Sequence, residues 1–97
     1  MDQTPQTPET VRDLVVLNRY GIHARPAALL VKTAAAFADE ELYLAKGDIT
    51  VNAKSIMGLL TLEGHHGARL RVIARGPRAE EAADAIADLF RQKFFED

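Results

Sequence analysis

The chain contains no cysteine, which excludes disulfides and cysteine-ligated metal centres and suits a reducing compartment, so a cytoplasmic location is expected. Long hydrophobic runs are missing too. No stretch approaches the roughly 20 apolar residues that a membrane helix needs. Residues 1–10 lack the basic start and apolar centre of a secretory signal, so export is not expected. Charge of one sign is not in excess: 12 Lys and Arg against 14 Asp and Glu leave a net charge of −2, which argues against a nucleic-acid partner. Aromatic residues make up only 6%, and the strands offer little beyond Tyr43 for stacking bases. With 97 residues the chain is too short for two domains, or for an enzyme with its own large substrate cleft. What remains is one small soluble domain, 47% apolar and 27% charged.

The most informative stretch is Gly21-Ile22-His23-Ala24-Arg25-Pro26-Ala27. Pro26 suits the first turn of a helix, where a missing N–H costs no hydrogen bond, and Gly21 lets the chain turn out of the preceding segment. His23 is therefore expected just before a helix N-terminus, whose unpaired N–H groups and dipole favour an anion. A cation is disfavoured there, so a neutral imidazole with one nitrogen available as nucleophile is expected near pH 7. Arg25 can offer a planar fork of donors to a phosphate. The plain alternative is a histidine that caps a helix beside a solvated arginine.

Along the chain, residues 1–10 hold two prolines and almost no apolar side chains, and read as a flexible tail before a domain over 11–97. Residues 11–18 read as a strand whose buried face the pattern leaves open, because both parities are apolar. Over 25–38, Ala27, Leu30, Val31, Ala34 and Phe37 recur at helical spacing. Lys32 falls off that stripe, in what reads as the early part of the helix, and is a candidate partner contact. Leu42 and Leu44, then Ile49, Val51 and Ala53, flank Gly47-Asp48 as two strands of a hairpin. Ser55 is the expected N-cap of a short helix over 55–62, with Gly58 leaving its capping box incomplete. A turn over 63–67 follows, then a strand over 69–75 with a basic face. Gly76-Pro77 opens a last helix expected to run to about Phe94, with Ala79, Ala82, Ala83, Ile86, Leu89, Phe90 and Phe94 on its inner side. The fold class is thus α+β: β-α-β-β-α-β-α, a two-layer open-faced β-sandwich with a four-stranded, largely antiparallel sheet covered on one face by three helices.

The first motif, with Val51-Asn52-Ala53-Lys54-Ser55-Ile56-Met57-Gly58 starting 30 residues after it, resembles the HPr family of histidine-phosphorylated carriers of the bacterial phosphoenolpyruvate-dependent phosphotransferase system. The resemblance spans residues 11–94. It implies that His23 is the phosphoryl acceptor, forming the pros-phosphohistidine, and that Arg25 supports the phosphate. It implies Enzyme I as donor and IIA proteins or domains as acceptors of a stoichiometric carrier without cofactor or metal. Ser55 falls where many members carry a regulatory serine, the target of a dedicated kinase. Ile56, Met57 and Leu60 would form the docking surface, steered by Arg25, Lys32 and Lys54. The ending from Gly76-Pro77 to Phe95-Glu96-Asp97 is similar to the nitrogen-related branch, NPr, whereas Lys-Ser-Ile-Met-Gly is similar to the sugar branch. A third reading, a mainly regulatory partner-binding protein, fits less well because such relatives lack the histidine. A monomer without direct membrane insertion is expected. His65-His66, with no third ligand nearby, reads as an exposed turn and not a metal site.

Overall fold

The computed structural model describes residues 8–96. Residues 1–7, most of the expected flexible tail, lie outside the described residues. Four strands, β1 (Glu9–Val15), β2 (Glu41–Lys46), β3 (Ile49–Asn52) and β4 (Arg69–Arg75), form one sheet in the order β1-β4-β2-β3, with every neighbouring pair antiparallel. Three helices, α1 (Ala24–Ala35), α2 (Ile56–Thr61) and α3 (Ala79–Arg91), complete the expected α+β order.

The apolar ambiguity of the first strand is settled by its partner. In register with β4, Leu14 lies opposite Leu70 and Arg12 opposite Val72, and the even-numbered side chains Leu14, Val16 and Asn18 turn inward. Val11, Val15 and Leu17 are left exposed on the open face. The strand starts at Glu9, two residues ahead of the expected start, because Glu9 and Thr10 pair with Arg75 and Ala74. It ends at Val15, short of residue 18, where Val16 leaves the ladder to bond Ala68 and Gly67.

β4 alternates as its sequence requires, with Leu70, Val72 and Ala74 buried. Its basic face is compensated by register: Asp13 lies opposite Arg71, and Glu9 pairs with Arg75 at 2.6 Å. Tyr43, the one aromatic ring within the four strands, donates its hydroxyl to Glu41 at 2.7 Å, and this bond holds the phenol above its usual pKa.

α1 buries Pro26, Ala27, Leu30 and Ala34 as its stripe requires, but ends at Ala35, with the Phe37 amide closing a tighter turn on the Ala34 carbonyl. Lys32 consequently stands in the last turn of α1, about 13 Å along the axis from His23, and not in its early part. The larger departure is at the other end of the chain. The last helix stops at Arg91 instead of continuing to Phe94. Lys93, Phe94 and Phe95 form a left-handed turn, with φ of 53°, 55° and 60°. That turn puts Phe94 into the core against Phe90, ring centroids 4.9 Å apart, and redirects the chain end toward the start of α1.

Candidate active site around His23

His23 is the N-cap of α1: its backbone is extended (φ −88°, ψ −169°) and its carbonyl accepts the Ala27 amide at 3.0 Å. Its side chain makes no capping bond to that helix, so the imidazole is not consumed by the structural role that the plain alternative would give it. The turn that delivers it is built on Gly21. At φ +68° this position favours glycine, and an added Cβ would lie 2.3 Å from the Gly64 carbonyl oxygen. The same carbonyl accepts the Ile22 amide at 2.9 Å, so the loop leaving α2 is tied to the turn that carries His23.

The imidazole is half-exposed and has one side-chain partner. Its Nε2 lies 2.9 Å from Glu96 Oε1. Asn18, fully buried, donates Nδ2 to that same oxygen at 2.9 Å and to the Gly21 carbonyl at 2.7 Å. Both Asn18 amide protons are therefore used, while its Oδ1 has no partner among the described residues. Turning the amide over would set Oδ1 against a carbonyl and a carboxylate, so its orientation is determined. The N–H donors of His23 and Asn18, in that order, hold the Glu96 carboxyl below the usual carboxylate pKa, and the positive charge of Arg25 adds to this. An ionised carboxylate can only accept. The proton of this bond consequently sits on Nε2, so in the neutral ring it is Nδ1, which has no partner among the described residues, that carries the lone pair.

Arg25 is exposed and makes no ion pair among the described residues, so its donors are available to a ligand at the helix terminus. Tyr20 stands edge-on to His23, centroids 6.3 Å apart. Ser55 caps α2 as expected, its Oγ accepting the Gly58 amide at 3.1 Å. On the following turn Leu59 is buried, whereas Ile56 (43% exposed), Met57 (71%) and Leu60 (38%) face outward as one apolar group. None of the three belongs to the core.

Lys54 keeps its charge, but its ammonium donates to the carbonyls of Phe37 at 3.0 Å and Glu40 at 2.7 Å, closing the chain that leaves α1. Lys32 is exposed but remote from His23. His65 and His66 are both exposed, with His66 Nδ1 against the Asn18 carbonyl at 3.2 Å, and no cluster of metal-binding side chains occurs among the described residues. Asn18 and Glu96 are the residues that sequence reasoning missed. They are 78 positions apart, and no local pattern signals their meeting.

Comparison with known proteins places the arrangement. Residues 10–92 match the family described as PTS HPr component phosphorylation site. The phosphocarrier protein HPr of Treponema pallidum (strain Nichols) is 45% identical over 87 residues, covering 90% of this chain and 98% of that protein. The phosphocarrier protein HPr of Xylella fastidiosa (strain 9a5c) is 40% identical over 85 residues, covering 88% and 94%. A crystal structure of HPr from Thermoanaerobacter tengcongensis superposes with a TM-score of 0.86 at 40% identity, covering 91% of this chain and 98% of that one.

Proposed function

Because the chain belongs to the HPr family of phosphotransferase-system phosphocarriers, we propose that His23 is the residue that carries the phosphoryl group. The observation that supports this is the imidazole at the N-cap of α1, bonded through Nε2 and with Nδ1 unengaged. Phospho-Enzyme I presents its phosphohistidine, and the Nδ1 lone pair attacks phosphorus in line. The donor's P–N bond breaks, with its electron pair returning to the donor ring. The first amides of α1 and the Arg25 guanidinium hold the phosphoryl oxygens. His23 then gives the group to a histidine of a IIA protein or domain by the same displacement. The carrier acts in the cytoplasm as a single copy and is stoichiometric, regenerated by transfer and not by turnover of a substrate in a cleft. Ile56, Met57 and Leu60 form the apolar docking patch, and Ser55 at its edge is a regulatory phosphorylation site. Because the relatives above carry the HPr name, the nitrogen-branch alternative is not better supported.

Incubation with phosphoenolpyruvate and Enzyme I should add one acid-labile, base-stable phosphate, and His23→Ala should abolish it without unfolding the domain. Labelling of His23→Ala at the wild-type rate would overturn the assignment. Arg25→Ala keeps the nucleophile and loses charge-assisted hydrogen bonds, so its transfer should slow by roughly 10- to 100-fold. An unchanged rate would make Arg25 a surface charge only.

A further inference from the structure

We infer that Glu96, anchored by buried Asn18, is a positioning residue for phosphoryl transfer: it holds the Nε2–H of His23, presents Nδ1 as the nucleophile and stabilises the cationic ring formed on attack. The inference rests on the phosphocarrier reading of His23 and names a residue from the far end of the chain as part of its site.

The argument begins with the anchor. Asn18 has no solvent exposure and spends one amide proton on the Gly21 carbonyl, within the turn that carries His23, and the other on Glu96 Oε1. Glu96 is thus attached to the same turn as the imidazole it contacts. Its carboxylate is largely shielded, with 17% of its side chain exposed against 41% for His23. A long glutamate free in solvent would spread over many rotamers; this one is held from two sides at 2.9 Å.

The chemistry follows from the bond. Attack by the Nδ1 lone pair on phosphorus leaves a ring that bears the phosphoryl group on Nδ1 and still keeps its proton on Nε2, and is therefore an imidazolium. No base has to remove a proton first. Glu96 faces that Nε2–H with a fixed negative charge, and it stabilises the product ring more than the neutral ring it started from. The same cationic ring is the better phosphoryl donor, because on onward transfer it departs as neutral imidazole instead of an anion. The carboxylate addresses one nitrogen and the phosphoryl group occupies the other, so the ring stands between the two negative charges. The arrangement parallels the general logic of a carboxylate that orients a histidine and supports its charged form.

The test compares wild type, Glu96→Gln and Glu96→Ala. Long-range 1H–15N correlation spectra of the His23 ring read the tautomer with no partner protein present. Wild type should be protonated at Nε2 with Nδ1 bare, and Glu96→Ala should populate both neutral tautomers. With phosphoenolpyruvate and Enzyme I, the maximal labelling rate of Glu96→Ala should fall by roughly tenfold or more. The Enzyme I concentration giving half-maximal rate should stay within about twofold of wild type. Glu96→Gln retains an acceptor without the charge and should fall between. A folded Glu96→Ala with the wild-type ring spectrum and the wild-type rate would overturn the inference. Should Glu96→Ala melt before the assay temperature, the same comparison on Glu96→Gln decides, since a wild-type maximal rate there removes the role of the charge. Labelling that persists in His23→Ala would instead be a failure of the carrier assignment, and the ring spectrum would still report whether Glu96 holds Nε2–H.

Discussion

At the scale of single residues, the site depends on groups placed where alternatives are closed off. Gly21 has no room for a Cβ beside the Gly64 carbonyl, so the turn before His23 has one arrangement, and the imidazole emerges at the helix N-cap in a defined place. Glu96 adds a term that depends on pH. Its carboxyl is held below the ordinary value of 4.5 in the folded protein by the N–H donors of His23 and Asn18 and by the charge of Arg25, whereas in the unfolded chain it titrates at that ordinary value. A depressed folded pKa means that the folded protein binds the proton less readily than the unfolded chain. The stabilisation from this carboxylate is thus fully present above the ordinary value and is lost as pH falls through the lower, folded one. The melting temperature of wild type should exceed that of Glu96→Gln above the ordinary value of 4.5, and the margin should close as the pH is lowered through the range below it. A margin that did not change with pH would mean that the carboxylate charge contributes nothing to the fold.

At the scale of elements, legibility in the sequence followed the kind of signal each element carries. β4 has the expected bounds because alternation of Leu70, Val72 and Ala74 against three arginines is a pattern of period two that one buried face enforces. The β2–β3 hairpin and the Ser55 cap were readable for the same reason, since turn and cap chemistry are local. The inward face of β1 was not, because Val11, Val15 and Leu17 are as apolar as the buried positions and only pairing with β4 distinguishes them. His23 and Arg25 were legible as a motif, and Asn18 and Glu96 were hidden by the turn at Lys93, Phe94 and Phe95. No glycine marks that turn, and a helical continuation satisfied the apolar spacing of Phe90 and Phe94 equally well. Left-handed backbone costs a non-glycine residue roughly 1–2 kcal/mol, and burial of Phe94 together with the bonds of Glu96 offsets it. Phe95, 69% exposed at φ 60°, gives this segment little burial in return for its strain. Phe95→Gly should therefore keep the melting temperature or raise stability by about 1 kcal/mol or less, since relief of strain outweighs the added entropy of the unfolded chain. Phe94→Ala, which empties a core position, should cost about 3–5 kcal/mol and slow His23 labelling by releasing Glu96. Parallel chemical denaturation of both variants checks the pair, and a Phe95→Gly loss comparable to that of Phe94→Ala would contradict this account of the turn.

At the scale of the whole molecule, separate elements place the turn at His23 and the apolar group of α2 on neighbouring parts of one surface. The Ile22 to Gly64 bond ties the turn at His23 to the loop leaving α2, and α2 turns Ile56, Met57 and Leu60 outward. Arg25, at the start of α1, is exposed and in no ion pair among the described residues, while the charged Lys54 head is held by two carbonyls. Such a surface suits a partner with an apolar centre and acidic rim, and it is sensitive to charge placed at its edge. Ser55 is that edge. A carboxylate in its position can still accept the Gly58 amide and lies at a helix N-terminus, where a negative charge is tolerated or favoured, so Ser55→Asp should melt at or above the wild-type temperature. Docking should suffer instead, because Ile56 and Met57 would have to be desolvated next to the new charge while an acidic rim is repelled by it. The Enzyme I concentration that half-saturates His23 labelling should rise by roughly tenfold. Added salt should narrow the gap by screening the repulsion. Ser55→Ala removes the cap without adding charge, so it should lose about 1 kcal/mol of stability and transfer phosphate almost normally. If a folded Ser55→Asp were labelled at the wild-type Enzyme I dependence, charge at Ser55 would have no hold on docking, and phosphorylation there could not regulate the carrier by this route.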